Sequence, residues 1–167
     1  IIYLAERIKK EFKGKGVRFW VIGEGEYADI FHEQIQKKDL TNIIKFEKRF
    51  FPLEEIPQLI GDAYAGIVPY ADNLVNRAAI PVKMLEYVCL KIPVLVSDLP
   101  SIRYYFTEEE LFFYLPGNYE NLFQQLVKML NNPELTSQKA QRAYNKLMAQ
   151  HSWPQEKERL KAIIRNL

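Results

Sequence analysis

The sequence predicts an α/β protein in which helices cover both faces of a parallel β-sheet. Two observations lead to this fold class. Short strand-like stretches alternate with amphipathic helical stretches five times along the chain. The strand-like stretches are almost uninterrupted runs of apolar residues, which is typical of strands buried on both faces. Because the 167 residues contain no repeat, linker or low-complexity segment, we expect a single domain over 1–167.

The first part of the chain supplies three helices and two strands of this pattern. Apolar residues at spacings of three and four predict a helix from Ile1 to Phe12, and Gly14 and Gly16 mark the turn after it. VRFWVI (17–22) is rich in β-branched and aromatic residues and predicts the first strand. The next elements are a helix with Tyr27, Ile30, Phe31 and Ile35 on one stripe, a strand at IIKF and a short helix in LEEIPQLIGDA.

The second part of the chain continues the alternation and ends in helices. AGIVPY (65–70) predicts a third strand, and a helix beginning at Pro81 leads into the apolar strand of KIPVLVSDLP. LFFY (111–114) predicts the last strand. Three helices complete the chain: one with Leu122, Phe123, Leu126, Val127 and Leu130 on one face, one that begins at Pro133, and one over 152–167, for which Ser152 and Gln155 have capping-box spacing.

Composition excludes several classes of protein. Lys and Arg total 23 against 21 for Asp and Glu, so the chain has no long-range field that would recruit nucleic acid or an anionic membrane. The single cysteine, Cys89, excludes an internal disulfide framework, and we expect it to be a small buried thiol in a reducing compartment. No apolar run approaches the ~18 residues of a membrane span, so we expect a soluble, cytoplasmic domain.

The segment from Ala71 to Ala79 has the composition of a binding loop and leads into the helix at Pro81. In parallel sheets ligands bind beyond the carboxyl ends of the strands, where helix amino termini present free amides. Arg77 precedes this helix and Lys83 lies in its first turn, so two cations and the amides can face one small volume. The pattern predicts a site for a diphosphate.

Glu86 lies three residues beyond Lys83 and therefore on the same side of the helix. Met84, Leu85 and Val88 take the opposite side, toward the sheet. A carboxylate in this place is suited to accept hydrogen bonds from two neighbouring hydroxyls of a ribose. The periodicity leaves an alternative open, in which Lys83 and Glu86 form a surface ion pair of ~0.3 kcal/mol without function.

A resemblance adds to this interpretation. The stretch from Ala65 to Arg103, with VPY, DN, NR, IPVKMLEY and KIPVLVSDLPSIR in order, resembles the donor-binding half of GT-B glycosyltransferases, in the large retaining family that contains bacterial sugar-polymer and glycolipid assembly enzymes. VIGEGEY, FPLEEIPQLIGDA, LFFYLPGNYENL and LNNPEL fall in the family's order as well. The resemblance implies a Rossmann-like three-layer α/β/α domain, the C-terminal half of a GT-B enzyme.

The resemblance also implies a reaction. Its donor would be a UDP- or GDP-sugar, from which the glycosyl group passes to an acceptor with retention and without an obligatory metal. The family's first strand with its basic loop, and its N-terminal acceptor-binding domain, have no counterpart in this chain. We therefore expect the fragment to be inactive alone, and any membrane association to depend on the missing part. The final helix would return toward that missing domain, so we expect Trp153 and Ile163 to be exposed here.

The family's functional positions map onto several residues of this sequence. Glu86 matches the glutamate that holds the donor ribose, whereas the position eight residues earlier, where the family has another glutamate, is Ala78. PVKMLE resembles a subgroup pattern in which Lys83 contacts the diphosphate or the sugar, and Arg77 would be the second cation on the leaving group. The remaining expected donor contacts are Gly23 and Gly25 of GEGEY, Arg49 after the second strand, and Asp98 of SDLPS, which could instead cap the turn at Ser101.

Two other functions remain open. GEGEYA follows a strand and precedes a helix, and Glu47 comes 22 residues after Gly25, which together form a dinucleotide fingerprint of an NAD-binding oxidoreductase. Against it, Glu24 and Glu26 would place two carboxylates beside a pyrophosphate. The other possibility is a non-catalytic interaction module, which Ala78 and the missing strand favour. The two histidines, at 32 and 151, have no metal-ligand spacing.

Overall fold

The structure, a computed structural model, describes residues 1–12 and 16–165. Gly14, predicted to lie in a turn, and Leu167, predicted to end the last helix, fall outside the described residues. The chain divides into two compact units, Ile1–Leu59 and Ile60–Leu167. Each unit contains its own hydrogen-bonded parallel sheet.

The first unit is a two-stranded parallel sheet with helices. Its elements are α1 (Ile2–Glu11), β1 (Phe19–Ile22), α2 (Ala28–Lys37) and β2 (Ile44–Glu47), and α3 (Ile56–Ile60) runs across the boundary of the units. Phe19 lies opposite Ile44, and Ile22 lies opposite Glu47. The strands and helices were predicted from the sequence, but their bounds are shorter than the apolar stretches.

The predicted apolar stripe of α2 is wrong at two of its four positions. Tyr27 precedes the helix and is exposed, and the side chain of Ile30 is exposed as well. The stripe that turns inward consists of Ala28, Phe31 and Ile35, which are buried or half-buried. These three residues follow the helical repeat, and Ile30 lies off that repeat by more than a quarter turn.

The second unit is a three-stranded parallel sheet in the order β3-β4-β5. Its strands are β3 (Gly66–Val68), β4 (Val94–Ser97) and β5 (Phe112–Tyr114), and its helices are α4 (Leu74–Ala78), α5 (Val82–Cys89), α6 (Pro100–Arg103), α7 (Tyr119–Asn131), α8 (Pro133–Gln150) and α9 (Trp153–Arg165). All four residues of β4 are buried because this strand lies in the middle of the sheet. The predicted parallel pairing is confirmed in both units.

Helix α5 packs against β3, β4 and α8 through its buried residues Met84 and Val88. At its end the prediction of a buried thiol is wrong, because Cys89 is exposed. Val88 takes the inward position, and the next residue is turned away from it by the ~100° step of the helix. Partial burial and the nearby Glu86 carboxylate raise the pKa of the Cys89 thiol.

The two C-terminal helices differ in how many of their residues are buried. Helix α8 begins at Pro133, as predicted, and buries residues such as Ala143 and Leu147. Helix α9 contains no buried residue over Trp153–Arg165. Trp153 and Ile163 are 69% and 60% exposed, as the sequence predicted. Among the described residues, no helix combines the length and apolar character that a membrane crossing requires.

Candidate functional site

The amino end of α5 presents a cation, a carboxylate and free amides. Lys83 in the first turn is exposed, and Glu86 one turn later is half-buried. Within residues 1–12 and 16–165, neither side chain forms an ion pair or a side-chain hydrogen bond, so the Lys83–Glu86 surface pair does not form. No described side chain caps the helix, which leaves its first amides available to an anion.

Arg77 lies just before this helix, in a segment that was predicted to be a loop. That prediction is wrong over Leu74–Ala78, which form the one-turn helix α4. Asn73 starts the helix, because its Oδ1 accepts a hydrogen bond of 2.9 Å from the Asn76 amide. Arg77 Nε lies 3.1 Å from Asp72 Oδ1, and both side chains are exposed. An exposed ion pair of this kind contributes ~0–1 kcal/mol, so a bound anion can compete for Arg77.

Helix α4 is fastened to α6 by a contact that the sequence gave no reason to expect. Ser101 Oγ donates a hydrogen bond of 2.8 Å to the carbonyl oxygen of Asn76. Asn76 Nδ2 in turn donates to the carbonyl oxygen of Ala71 at 2.8 Å. These bonds hold the residues around Arg77 in place, and Ser101 and Asn76 are too far apart in sequence for a local pattern to reveal their contact.

A buried hydroxyl network joins the carboxyl ends of the three strands in this unit. Ser97 is fully buried, and its Oγ donates to the carbonyl oxygen of Tyr70 at 2.7 Å. Tyr114 Oη is hydrogen-bonded to Ser97 Oγ at 2.9 Å, and burial raises the pKa of Tyr114. The network ties the ends of β3, β4 and β5 together, so the rim that carries the predicted loops is rigid.

Asp98 does not act as a helix cap, because the helix that follows starts at Pro100 with Leu99 before it. Instead, its two carboxylate oxygens accept hydrogen bonds of 2.6 and 2.7 Å from Arg103. Arg103 also lies 2.6 Å from a carboxylate oxygen of Glu108, and its guanidinium is 3.7 Å from the ring centre of Phe113. Hydrogen bonds to Asp98 and Glu108 raise the pKa of Arg103. The Asp98 carboxylate is therefore already paired.

The remaining predicted donor contacts lie in the first unit. Gly23 follows β1 with φ of 140°, a conformation that favours glycine, and its amide donates to the carbonyl oxygen of Glu47 at 3.1 Å. Gly25 is exposed, and its carbonyl oxygen accepts from Ala28 N at 3.0 Å. Arg49 lies two residues beyond β2 and not at its end. Its guanidinium donates to Glu47 and lies 4.0 Å from the ring centre of Phe51.

In the dinucleotide interpretation, the Glu47 carboxylate would bind a ribose, but in the structure this carboxylate already has protein partners. Its carboxylate lies 2.6 Å from Lys45 Nζ and accepts a hydrogen bond of 3.1 Å from Trp20 Nε1. Arg49 Nη2 contacts the other carboxylate oxygen at 3.2 Å. The hydrogen bond from Lys45 lowers the pKa of Glu47, and Arg49 acts in the same direction. Three protein donors thus take the place of the ribose hydroxyls.

The two histidines have different surroundings. His32 is exposed, and the His151 ring packs edge-on against Tyr105 with ring centres 4.8 Å apart. Over the part of the chain that the structure describes, no group of three or more His, Cys, Asp and Glu side chains could hold a metal ion.

One protein-family model matches most of the chain. The model described as glycosyl transferases group 1 matches residues 1–146. The chain belongs to this family. No curated protein matches the chain.

Solved structures share the fold of this group 1 family member. A TarM variant of S. aureus, in complex with fondaparinux, α-GlcNAc-glycerol and UDP, has a TM-score of 0.76 and 18% identity over 90% of this chain and 29% of its own. The C-terminal domain of LpcC from Francisella tularensis has a TM-score of 0.76 and 16% identity over 91% of this chain and 77% of its own. HepE of Anabaena, with UDP and glucose, has a TM-score of 0.78 and 17% identity over 99% of this chain and 44% of its own.

The fold of the group 1 chain is that of the C-terminal Rossmann-like domains of GT-B glycosyltransferases. The fold class predicted from the sequence is therefore confirmed. The chain spans less than half the length of the TarM and HepE chains that it matches.

Proposed function

We propose that this chain is the donor-binding domain of a glycosyltransferase and that it binds a nucleotide-diphosphate sugar, with uridine or guanosine as the base. The observation that carries the proposal is the amino end of α5. There a free lysine, a free glutamate and uncapped amides stand within one turn of each other. Phosphate oxygens accept hydrogen bonds from amides and ammonium groups, whereas ribose hydroxyls donate to a carboxylate. The arrangement suits the two ends of a nucleoside diphosphate.

In the proposed reaction, Lys83 and Arg77 stabilise the leaving diphosphate. Negative charge gathers on the diphosphate as the glycosidic bond breaks, so fixed cations and amides bind the transition state more tightly than the ground state. Lys83 has no partner among the described residues to give up, and Arg77 gives up only an exposed pair with Asp72. Glu86 holds the ribose and thereby fixes the position of the diphosphate. The positive charges that stabilise the leaving diphosphate come from the protein, so we propose that no metal is obligatory.

The structural neighbours support this choice of donor. HepE was crystallised with UDP, with UDP and glucose, and with UDP-glucose, and the TarM variant contains UDP. We propose a hexosyl transfer with retention, in a cytoplasmic protein that assembles sugar polymers. Because the chain covers 29% of the TarM chain and 44% of the HepE chain, we also propose an N-terminal acceptor-binding domain. Without that domain the chain should bind nucleotide and transfer nothing.

Nucleotide titration of the chain tests the proposal. UDP or GDP at 100 times its dissociation constant should add about 2.7 kcal/mol to the free energy of unfolding, measured as a thermal shift. Glu86→Ala should weaken binding by calorimetry more than tenfold, or ~1.4 kcal/mol, whereas Glu33→Ala, an exposed glutamate on α2, should leave it unchanged.

Two results would contradict the proposal. Unchanged UDP and GDP affinity in both Glu86→Ala and Lys83→Met would remove α5 from the site. A thermal shift with NAD and none with UDP or GDP would favour the dinucleotide interpretation, and no shift with any nucleotide would favour an interaction module.

A further inference from the structure

A polar cavity of about 200 Å³ lies along β5, the edge strand of the three-stranded sheet. Its walls come from β5 and its flanking residues, from helices α7 and α8, and from Asp98 and Arg103. A volume of this size holds several water molecules, which is enough for a small ion with its hydration. Asp98, which the sequence suggested as a donor contact, lines the cavity but is paired with Arg103. Arg77, Lys83 and Glu86, which carry the proposed donor site, do not line it, so the cavity is a different site.

Lys139 of α8 is the unusual residue of this cavity. The residue is 8% exposed, and its Nζ makes one long hydrogen bond, 3.4 Å, to the carbonyl oxygen of Leu111. The ring centre of Phe112 lies 4.9 Å from the same nitrogen. An ammonium group has three N–H donors, and in the described part of the chain no carboxylate lies within ion-pair distance of this one. A buried cation without a counterion is costly, so the cavity favours an anion.

The charges around Lys139 also favour an anion in the cavity. Burial lowers its pKa, and the positive charges of Lys128 and Arg142 add to that shift, while Glu109 and Glu108 oppose it. An anion bound in the cavity would offset both the burial and the repulsion between the cations.

The carboxylates that line the cavity do not neutralise these lysines. Arg103 Nε lies 2.6 Å from Asp98 Oδ1, and Arg103 Nη1 lies 2.6 Å from Glu108 Oε2. The cavity walls thus hold three cations against two carboxylates, and the carboxylates are engaged by the third cation. The ammonium groups of Lys128 and Lys139 remain for a ligand.

Two side-chain amides complete the set of donors. Asn121 Oδ1 accepts a hydrogen bond of 2.9 Å from the Leu115 amide, so its NH₂ group is left to donate. The side chains of Gln125 and Lys128 make no hydrogen bond or ion pair within the described ranges. All three residues lie at spacings of three or four along α7 and therefore face the cavity together.

We propose that this cavity binds a small oxyanion of the phosphate class, held by Lys139 and Lys128 and by the amides of Asn121 and Gln125. A tetrahedral oxyanion offers several acceptor oxygens to these donors, whereas a halide offers no directional acceptor. The ligand supplies the counterion that Lys139 lacks, and it links α7, α8 and the edge of β5. This site goes beyond the proposed glycosyl transfer and does not depend on it.

Titration of the chain with inorganic phosphate, followed by NMR of the side-chain amides, tests the assignment. Phosphate should shift the NH₂ signals of Asn121 and Gln125, and sodium chloride at the same ionic strength should not. Lys139→Met should weaken phosphate binding more than tenfold, the equivalent of ~1.4 kcal/mol. Lys157→Met, which removes an exposed lysine of α9, should leave it unchanged.

Lys128→Gln provides a second variant that does not disturb the core, because Lys128 is exposed. It should weaken phosphate binding severalfold while the circular dichroism spectrum stays the same. Absence of amide shifts, or wild-type affinity in both Lys139→Met and Lys128→Gln, would overturn the proposal. Loss of the phosphate signal in Lys83→Met would overturn it as well, since phosphate would then occupy the proposed donor site. Loss of UDP binding alone in Lys83→Met leaves the phosphate site standing.

Discussion

Gly66, the first residue of β3, allows α5 to approach the sheet. A Cβ atom built on Gly66 would lie 2.3 Å from Cδ2 and 2.4 Å from Cγ of Tyr87. Distances this short do not occur between non-bonded carbon atoms, whose optimum is about 3.5–4.0 Å. Tyr87 stands directly after Glu86 on α5. Gly66→Ala should therefore push away the helix that carries the proposed ribose contact.

The size of the effect follows from how the clash can be relieved. The affected atoms include Cγ, the attachment point of the ring, so a rotation of the ring alone does not remove the overlap. Tyr87 is half-buried and packs against the hydrophobic core of this unit, so the ring has little room to move. Overpacking of such a site costs about 1–3 kcal/mol. For a chain of this length, 2 kcal/mol corresponds to a decrease in Tm of about 4–8 °C.

A double-mutant cycle measured by urea denaturation isolates the contact. Gly66→Ala alone should lower the free energy of unfolding by about 2 kcal/mol, but the same change in a Tyr87→Ala background, which removes Cγ and the ring, should cost less than about 0.5 kcal/mol. Gly25→Ala is the matched control, because among the described atoms none lies within 4 Å of its added Cβ. An equal cost of Gly66→Ala in both backgrounds would refute the argument, as would wild-type stability of the single variant.

Three further predictions concern charged side chains of the second unit. Arg103→Met removes two hydrogen bonds to Asp98 and should lower the free energy of unfolding by about 2 kcal/mol in urea melts. Burial raises the pKa of Glu110, but the hydrogen bonds from Thr107 and the ion pair with Lys146 together outweigh burial and leave the pKa lowered. Glu110→Gln should therefore cost about 1 kcal/mol above pH ~4.3, and the difference from wild type should vanish as the pH falls through the lowered pKa. Burial lowers the pKa of Lys139, so the charged lysine destabilises the folded chain. Lys139→Met should therefore raise the free energy of unfolding by about 1 kcal/mol at neutral pH without phosphate. This gain should disappear above pH ~10.4, where the lysine is neutral in the unfolded chain as well.

The order of strands and helices could be predicted from the sequence because it depends on local patterns. Apolar runs marked all five strands, and Pro133 marked the start of α8. The inward side of α5 followed from the helical repeat, which places Met84 and Val88 together. The errors occurred where the pattern was short. One turn of helix at α4 has too few residues to show a period, and the exposure of Cys89 depends on which neighbours reach the end of α5.

The partners of the polar side chains could not be predicted, because they come from distant parts of the chain. Asp98 could have been a cap or a ligand contact from its position, and only the arrival of Arg103 and Glu108 decides that it forms an ion pair. Lys139 is one polar residue of an amphipathic helix in sequence, and its burial beside Phe112 depends on the packing of α8 against the edge of the sheet.

The sequence by itself determined the alternation of elements, the parallel strands and the placement of Lys83 and Glu86 on one side of a helix. These properties depend on residues that are close along the chain. The tertiary structure decided which charges are free and which are neutralised. In the part of the chain that the structure describes, Lys83 and Glu86 have no side-chain partners, whereas the carboxylates of Glu47 and Asp98 are paired with cations. The reason is physical: ion pairs and hydrogen bonds act over a few ångströms, and only folding brings distant residues within that distance.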